Sequence, residues 1–433
     1  MRNVNLKDRI KFIGSDFFLN KSKTFCILPW MHMYVHTDSS VWSCCVNKTM
    51  TKGSHGYERT NVMTQPIQDI INNDYFKQLR LDMLNDVKNE NCIDCYALEN
   101  SSGRSYRNDF NEQFKEHFTE LLKTNDDGSI DDFETIYLDF RFSNLCNFKC
   151  RSCRPEWSSN WAKETKDNKD HPYKIWDDNI PKHDLTEEQF IDRFEGTLKT
   201  VERLYFAGGE PLAAKEHYWI LNYLIENNNT DLILEYNTNL SMLKNTKLKL
   251  SVVDYWKKFS NISIRVSLDA SGERAEYLRS GTDWKLIEDN FRYVKENLPH
   301  VNMGISSVFQ LTNALHLPDF YQGFLDSGIL DIKDLNNVFV IPLTGPAQLS
   351  SRILPKELKL KVEEKWEKFL SILPDNINLK GYVDTCIGYM NEEDLYESNK
   401  SDFVVFTTYL DKIRNENFGE VFPELKDYYE KVL

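Results

Sequence analysis

No stretch of this chain approaches the roughly 18 consecutive apolar residues of a membrane-spanning helix. Its opening, MRNVNLKDRIKFIGSDFF, lacks the apolar core of a secretory leader. The expectation is a cytoplasmic protein with no membrane partner. Positive charge is also scarce. Lys and Arg number 53 against 67 Asp and Glu, a formal charge of -14. That balance argues against a sequence-independent grip on a nucleic-acid backbone and leaves room only for a local basic groove. Internal repeats, low-complexity tracts and flexible linkers are absent as well. The cysteines number nine, an odd count in a long chain, which disfavours a disulfide framework.

What remains is a folded chain of 433 residues, 41% hydrophobic and 13% aromatic, long enough for one large domain with appendages. Its cysteines are not scattered. Cys26, Cys44, Cys45, Cys92 and Cys95 lie before residue 100, Cys146, Cys150 and Cys153 form a second group, and only Cys386 stands alone. Spacing of this kind points to metal.

Residues 1–133 read as a cysteine-bearing module of short strands and helices. Phe76, Leu79 and Met83 keep helical spacing, and Tyr106, Phe110, Phe114 and Phe118 recur every four residues, which predicts a helix packed on a core. Over 134–345 six strand-like runs, TIYLDFRF, RLYFAGG, LILEYNTN, ISIRVSLD, VNMGISSVF and NVFVIPL, are separated by helical stretches such as HYWILNYLIENN and WKLIEDNFRYVKENL. This alternation predicts an α/β fold, a partial (β/α)6 TIM-like barrel of parallel strands with right-handed helical crossovers. Residues 346–433 return to helical periodicity, with Pro355 near a first turn and Leu358, Val362, Trp366 and Phe369 as an apolar stripe, and are expected to form a helical cap.

The run TIYLDFRF leads into SNLCNFKCRSC, so Cys146, Cys150 and Cys153 sit on a loop after the first barrel strand. Three thiolates there can hold three irons of a four-iron cluster and leave the fourth without a protein ligand. The alternatives are a structural zinc site, which would want a fourth ligand nearby, or unrelated core cysteines. The spacing resembles the CxxxCxxC signature of the radical S-adenosylmethionine superfamily, although Ser152 stands where that family usually carries a bulky residue before the third cysteine.

Directly after RLYF comes AGGEPL, whose glycines let backbone approach a ligand and whose Glu210 can accept from a cationic amine. Read alone it is a tight strand-to-helix turn. The resemblance implies that Gly208, Gly209 and Glu210 bind the amino group of S-adenosylmethionine. Alternation along the strands adds a polar face. Arg265, Ser267 and Asp269 share one side of ISIRVSLD, Glu235, Asn237 and Asn239 one side of LILEYNTN, and Tyr137, Asp139 and Arg141 one side of the first strand. If the apolar faces meet helices, the barrel interior is polar and suits a ligand; otherwise these faces are solvated sheet edges. By resemblance Ser267 and Asp269 contact the ribose, Asn237 and Asn239 the nucleoside or its carboxylate, and Arg265 joins the cofactor-binding set.

At the N-terminal end Cys26 and Cys44 have seventeen residues between them, and NCIDCY adds a CxxC at Cys92 and Cys95. Adjacent strand residues point to opposite faces, so one of Cys44 and Cys45 ligates, and the spacing favours Cys44. Tetrahedral zinc is the competing reading. His32 and His36 read as packing residues. The pattern resembles the twitch auxiliary-cluster subdomain, with Ser39 at a hairpin position where Gly is usual, and the whole arrangement resembles N-terminal twitch radical proteins. That resemblance implies two 4Fe-4S clusters, S-adenosylmethionine, a 5'-deoxyadenosyl radical and an electron donor such as flavodoxin or ferredoxin. It points to oxidation of a peptide or protein side chain, with a sugar or other small molecule as the alternative. A non-catalytic iron-sulfur or zinc protein is the reading from another class, disfavoured because a structural site has no need of a vacant coordination position.

Overall fold

The computed structural model describes residues 5–47, 60–102, 105–168, 170–171 and 184–430. In chain order the strands are β1 (His32–Val35), β2 (Val41–Trp42), β3 (Tyr137–Phe140), β4 (Lys149–Cys150), β5 (Arg203–Phe206), β6 (Ile233–Thr238), β7 (Asn261–Ser267), β8 (Arg279–Ser280), β9 (Val301–Phe309) and β10 (Val338–Pro342), besides one short hairpin. The principal helices are α1 (Asp74–Leu84), α2 (Ile93–Ser102), α3 (Tyr106–Gln113), α4 (Ser159–Asp167), α5 (Glu187–Thr200), α6 (Lys215–Glu226), α7 (Gly272–Leu278), α8 (Trp284–Asn297), α9 (Leu317–Asp326), α10 (Lys356–Leu370), α11 (Leu379–Glu392) and α12 (Tyr396–Arg414). All six strands expected after residue 134 are present, with helices between them.

Packing divides the chain into two compact units that follow contact rather than sequence order. One holds the chain up to Ser143, the stretch ending at Gly208, and Glu216–Leu234; the other holds the segment from Asn144, Gly209–Lys215, and everything from Glu235 onwards.

In the first unit β1 turns into β2 through Ser39, whose φ of 68° is the left-handed conformation that the tight turn requires. Ser39 N–H donates to His36 O at 2.8 Å, closing the hairpin without a glycine. Opposite β2, β1 pairs in parallel with β3, His32 against Tyr137, and β3 pairs in parallel with β5, Tyr137 against Arg203. The start of β6 joins here, Ile233 N–H donating to Glu202 O at 2.9 Å. Helix α5 begins at a capping box of Thr186 and Gln189 and lays Phe194 edge-on against Phe140, ring centroids 5.1 Å apart. The aromatic stripe departs from the expected single helix. α3 stops at Gln113, Phe114 leaves helical geometry, and the chain continues as a 3-10 segment, Lys115–Lys123. Phe110 and Phe114 pack on Tyr137, while Phe118 packs on Phe18, so the stripe serves two surfaces and the helix breaks between them.

In the second unit β9 is central, paired in parallel with β7 (Ile305 against Val266) and with β10 (Ile305 against Val338), and the end of β6 lies beside β7. Along β7 the apolar Ile262, Ile264 and Val266 are buried while Ser263, Arg265 and Ser267 are half-buried, the alternation read from the sequence. In α10, Leu358, Val362, Trp366 and Phe369 are all buried. Among the described residues no helix is long and apolar enough to cross a membrane.

Candidate functional site

The loop bearing Cys146, Cys150 and Cys153 is held by backbone pairing with a segment far along the chain. β4 runs antiparallel to β8 with Cys150 opposite Arg279, and Arg151 N–H donates to Leu278 O at 2.8 Å. Cys153 N–H returns to Cys150 O at 2.9 Å, a tight turn that puts those two cysteines side by side. Cys146 N–H donates to Ser159 Oγ, just inside α4. Burial pushes all three thiols up, and at Cys146 the neighbouring Cys150 is the next cause, so the sulfurs sense one another. Burial thus favours neutral thiols, and a cation in the site is what would ionise them. Each sulfur also has a donor: Phe148 N–H for Cys146, Arg154 N–H for Cys153, and Arg279 Nη1 at 3.9 Å for Cys150.

The GGEP turn abuts the same loop within this unit. A Cβ on Gly209 would meet Leu145 O at 2.3 Å, and Glu210 N–H donates to that carbonyl at 2.7 Å. Gly208, at φ 106°, supplies the left-handed step. Glu210 itself is 2% exposed and already engaged. Oε1 accepts from Leu212 N–H at 3.1 Å and Thr238 Oγ1 at 2.6 Å, and Oε2 from Asn239 N–H at 2.8 Å. Burial pushes its carboxyl up to about 7. The carboxylate therefore ties the turn to the end of β6.

The other expected cofactor contacts fall into engaged and open groups. Asn239 is held by Asn147 and Ser241, and Asp269, wholly buried, accepts from Val308 N–H at 2.8 Å and faces Arg279, whose Nε lies 2.9 Å from Oδ2 as an ion pair without an aligned hydrogen bond. Arg265 sits 4.0 Å from Glu235 with its guanidinium 3.9 Å above the Phe339 ring. Asn237 is different: its Oδ1 is buried and has no partner among the described residues, an acceptor waiting for a donor. In the first unit Asp139 and Arg141 pair with each other at 2.8 Å, and Arg141 lies over Tyr34 and Tyr205.

Four of the N-terminal cysteines do converge. Cys26, Cys44, Cys92 and Cys95 line one small cavity of about 30 Å³, together with Met83, Phe110 and Arg107, and Cys45 is not in that lining. Each of the four thiols is pushed up, burial being the largest cause. His32 and His36 are packing groups, as their aromatic surroundings suggest. His32 donates from Nδ1 to Ser43 O and lies 4.5 Å from the Tyr137 ring, and His36 stacks on Trp42. Among the described residues no three His, Cys, Asp or Glu side chains come close enough to hold a single metal ion. A four-iron cluster sets its ligand sulfurs further apart than one ion does, and the donors at both sites, thiols in apolar surroundings, suit iron-sulfur chemistry.

Several participants carry no motif. Arg279, beside Cys150, follows an ordinary amphipathic helix. Arg151 is 1% exposed, and its partners Asp411 and Glu416 lie some 260 residues away in sequence. Glu164 gathers Lys149 and Arg414, the latter at 2.7 Å. Arg107 follows the CxxC closely enough that a charged residue after a cysteine pair was the one available signal.

Residues 140–312 match the Radical SAM superfamily, and residues 26–96 match an iron-sulfur cluster-binding domain family, SPASM. A curated S-adenosylmethionine-dependent nucleotide dehydratase from Fibrobacter sp. (strain UWH6) is 33% identical over 86 residues, 20% of this chain and 22% of that protein's length. Among solved structures, native anSMEcpe with bound AdoMet is 18% identical over 54% of this chain and 62% of its own, with a TM-score of 0.36. Streptococcus suis SuiB bound to precursor peptide SuiA is 15% identical over 65% and 58%, with a TM-score of 0.37. The cysteine loop lies inside the first match and the four cysteines of the cavity inside the second, so the chain carries a Radical SAM domain and, ahead of it, an iron-sulfur cluster-binding domain.

Proposed function

We propose that this chain is a radical S-adenosylmethionine enzyme in which Cys146, Cys150 and Cys153 hold the catalytic 4Fe-4S cluster, and Cys26, Cys44, Cys92 and Cys95 hold an auxiliary one. The observation that carries this reading is the docking of the GGEP turn onto the three-cysteine loop, through Glu210 N–H and Leu145 O at 2.7 Å. We retain the organisation into an N-terminal module (1–133), a barrel (134–345) and a helical region (346–433).

A cluster held by Cys146, Cys150 and Cys153 would, when reduced, supply the electron for cleavage of S-adenosylmethionine to methionine and a 5'-deoxyadenosyl radical able to take a hydrogen atom from substrate. The chain's own residues orient and enclose. Gly208 and Gly209 let backbone come close to the methionine amine, Glu210 fixes the turn and places negative charge there, and Asn237 offers a buried acceptor. Ser267, Asp269, Asn239 and Arg265 complete the polar surroundings, with Arg279 held between Asp269 and Cys150. Flavodoxin or ferredoxin is the proposed electron donor.

The substrate class favoured by the resemblance to twitch-bearing enzymes is a peptide or protein side chain, oxidised with help from the auxiliary cluster. A small polar molecule, a sugar or a nucleotide, is the second reading, favoured by the relative named a nucleotide dehydratase. The test is anaerobic reconstitution with iron and sulfide, then dithionite and S-adenosylmethionine, assayed for 5'-deoxyadenosine. The proposal expects that product from the unaltered chain and its loss in Cys150→Ala, with iron falling by one cluster. Zinc in place of iron, or undiminished product in Cys150→Ala, would overturn it.

A further inference from the structure

The four-cysteine cavity is electrostatically lopsided. Arg107 lines it and is 3% exposed, whereas its counter-ion Glu99 stands outside the lining. The two are joined by a double contact, Nε to Oε1 at 2.8 Å and Nη2 to Oε2 at 2.5 Å, and Nη1 is fixed by Ser22 O at 3.2 Å and by Phe25 O, the carbonyl just before Cys26, at 2.7 Å. The guanidinium is thus locked at the cavity wall, and its charge is felt at Cys26, Cys92 and Cys95, whereas that of Glu99 is felt at Cys95. Asp94 is the one carboxylate in the lining, but it is half-buried, and solvent screens it more than it screens the buried guanidinium.

Hydrogen bonding acts in the same direction. Cys95 accepts from the backbone N–H of Arg107, in the first turn of α3, so its sulfur sits at the positive end of that helix, while the hydroxyl of the N-cap Ser105 is donated to Glu99 at 2.6 Å. Cys26 accepts from Leu28 N–H, Cys44 from Val46 N–H and Cys92 from the Tyr96 hydroxyl. Donors to the sulfurs and nearby positive charge both favour the reduced, more negative state of an iron-sulfur cluster.

We infer that Arg107, with the N-terminus of α3, raises the reduction potential of the cluster held by Cys26, Cys44, Cys92 and Cys95. This rests on the two-cluster reading above. Arg107 touches none of the reacting atoms; it acts through the cluster.

The experiment is an EPR-monitored redox titration of the full chain carrying both clusters, the catalytic signal being identified as the one that changes on adding S-adenosylmethionine. Arg107→Met should lower the potential of the other signal by at least a tenfold change in its one-electron equilibrium, about 59 mV. Arg107→Lys should restore most of it, and Glu99→Gln, which removes the opposing charge, should move it upward. The catalytic signal should hold its potential throughout. Shifts of the same sign in Arg107→Met and Glu99→Gln, or no shift in either with iron retained, would overturn the inference. If Arg107→Met fails to keep the cluster, the direction of Glu99→Gln decides. Absence of a second signal in the unaltered protein would instead remove the two-cluster reading on which the inference stands.

Discussion

Arg151, next to Cys150, places Nη2 2.5 Å from Asp411 Oδ1, joining the cysteine loop to the last turn of α12. The same nitrogen reaches Glu416 at 2.5 Å, and the guanidinium lies 3.7 Å from the centre of the Tyr277 ring, whose hydroxyl donates to Asp411 at 2.7 Å. A second bridge runs alongside, from Lys149 through Glu164 to Arg414. Both sides of the loop are therefore anchored to the C-terminal helical region by buried charge. Removing Asp411 leaves Arg151 with Glu416 alone and strips the acceptor from the Tyr277 hydroxyl and the Phe418 N–H, which costs on the order of 3 kcal/mol. Asp411→Ala should accordingly destabilise the chain by about that much in denaturant titration, and should lower iron at the Cys146, Cys150 and Cys153 site while the four-cysteine site keeps its share. Equal loss from both sites would show that the bridge serves general folding alone.

Gly209 gives a sharper prediction, because its neighbours are backbone atoms that cannot swing aside. An added methyl would lie 2.3 Å from Leu145 O and 2.8 Å from two carbonyl carbons of the same loop. Gly209→Ala must open the turn and break the bond from Glu210 N–H to Leu145 O. The expected outcome is at least tenfold slower 5'-deoxyadenosine formation at saturating dithionite, with a raised KM for S-adenosylmethionine and with auxiliary iron unchanged. Wild-type kinetics in this variant would contradict the placement of the cofactor beside the turn.

The strands and the cysteine groups were legible in the sequence because both are local signals: period-two burial in ISIRVSLD and fixed spacing in CNFKCRSC are written within a dozen residues. The support around them was not. Arg279 reaches Cys150 because β4 and β8 pair, and Arg151 reaches Asp411 at the end of α12, and no periodicity announces a partner more than a hundred residues distant. Glu210 shows a different gap. Composition and turn chemistry marked it as an acceptor, but which donors it takes depends on where β6 ends, and Thr238 and Asn239 claim it. The aromatic stripe misled for a third reason. Its four-residue period fits one helix, yet two packing partners, Tyr137 and Phe18, pull the segment into two pieces.

The first unit should weaken in mild acid. His217 is wholly buried among Phe206, Phe142 and Tyr218, and burial lowers its pKa from 6.5 to about 3. The unfolded chain then takes up a proton below about 6.5 that the folded chain refuses until about 3, so stability is full above 6.5 and falls as pH drops through that window. The slope from this group approaches about 1.4 kcal/mol per pH unit below 6. Urea titrations at pH 7 and pH 5 should show the loss, and His217→Phe, which fills the same aromatic niche, should flatten it. An unchanged slope in that variant would assign the acid sensitivity to other groups, among them His32, which burial lowers to about 4.

The paired cysteines after β2 offer a test in which chemistry is constant and only direction differs. Cys44 lines the cavity with Cys26, Cys92 and Cys95, while Cys45 is exposed and has Asp139 and Arg141 for neighbours. The pair opens a turn closed by Asn47 N–H to Cys44 O at 3.4 Å, and only Cys44 lines the cavity, so a cluster that takes this thiol cannot take the other without turning the segment over. Turning it over would move Ser43 and Asn47 away from Tyr75, to whose hydroxyl both are now bonded. Cys44→Ala should therefore lose the iron of the auxiliary site and its EPR signal, leaving the signal that responds to S-adenosylmethionine intact. Cys45→Ala should keep both. Loss of auxiliary iron in Cys45→Ala with retention in Cys44→Ala would reverse the assignment, and loss in neither would place the fourth ligand elsewhere.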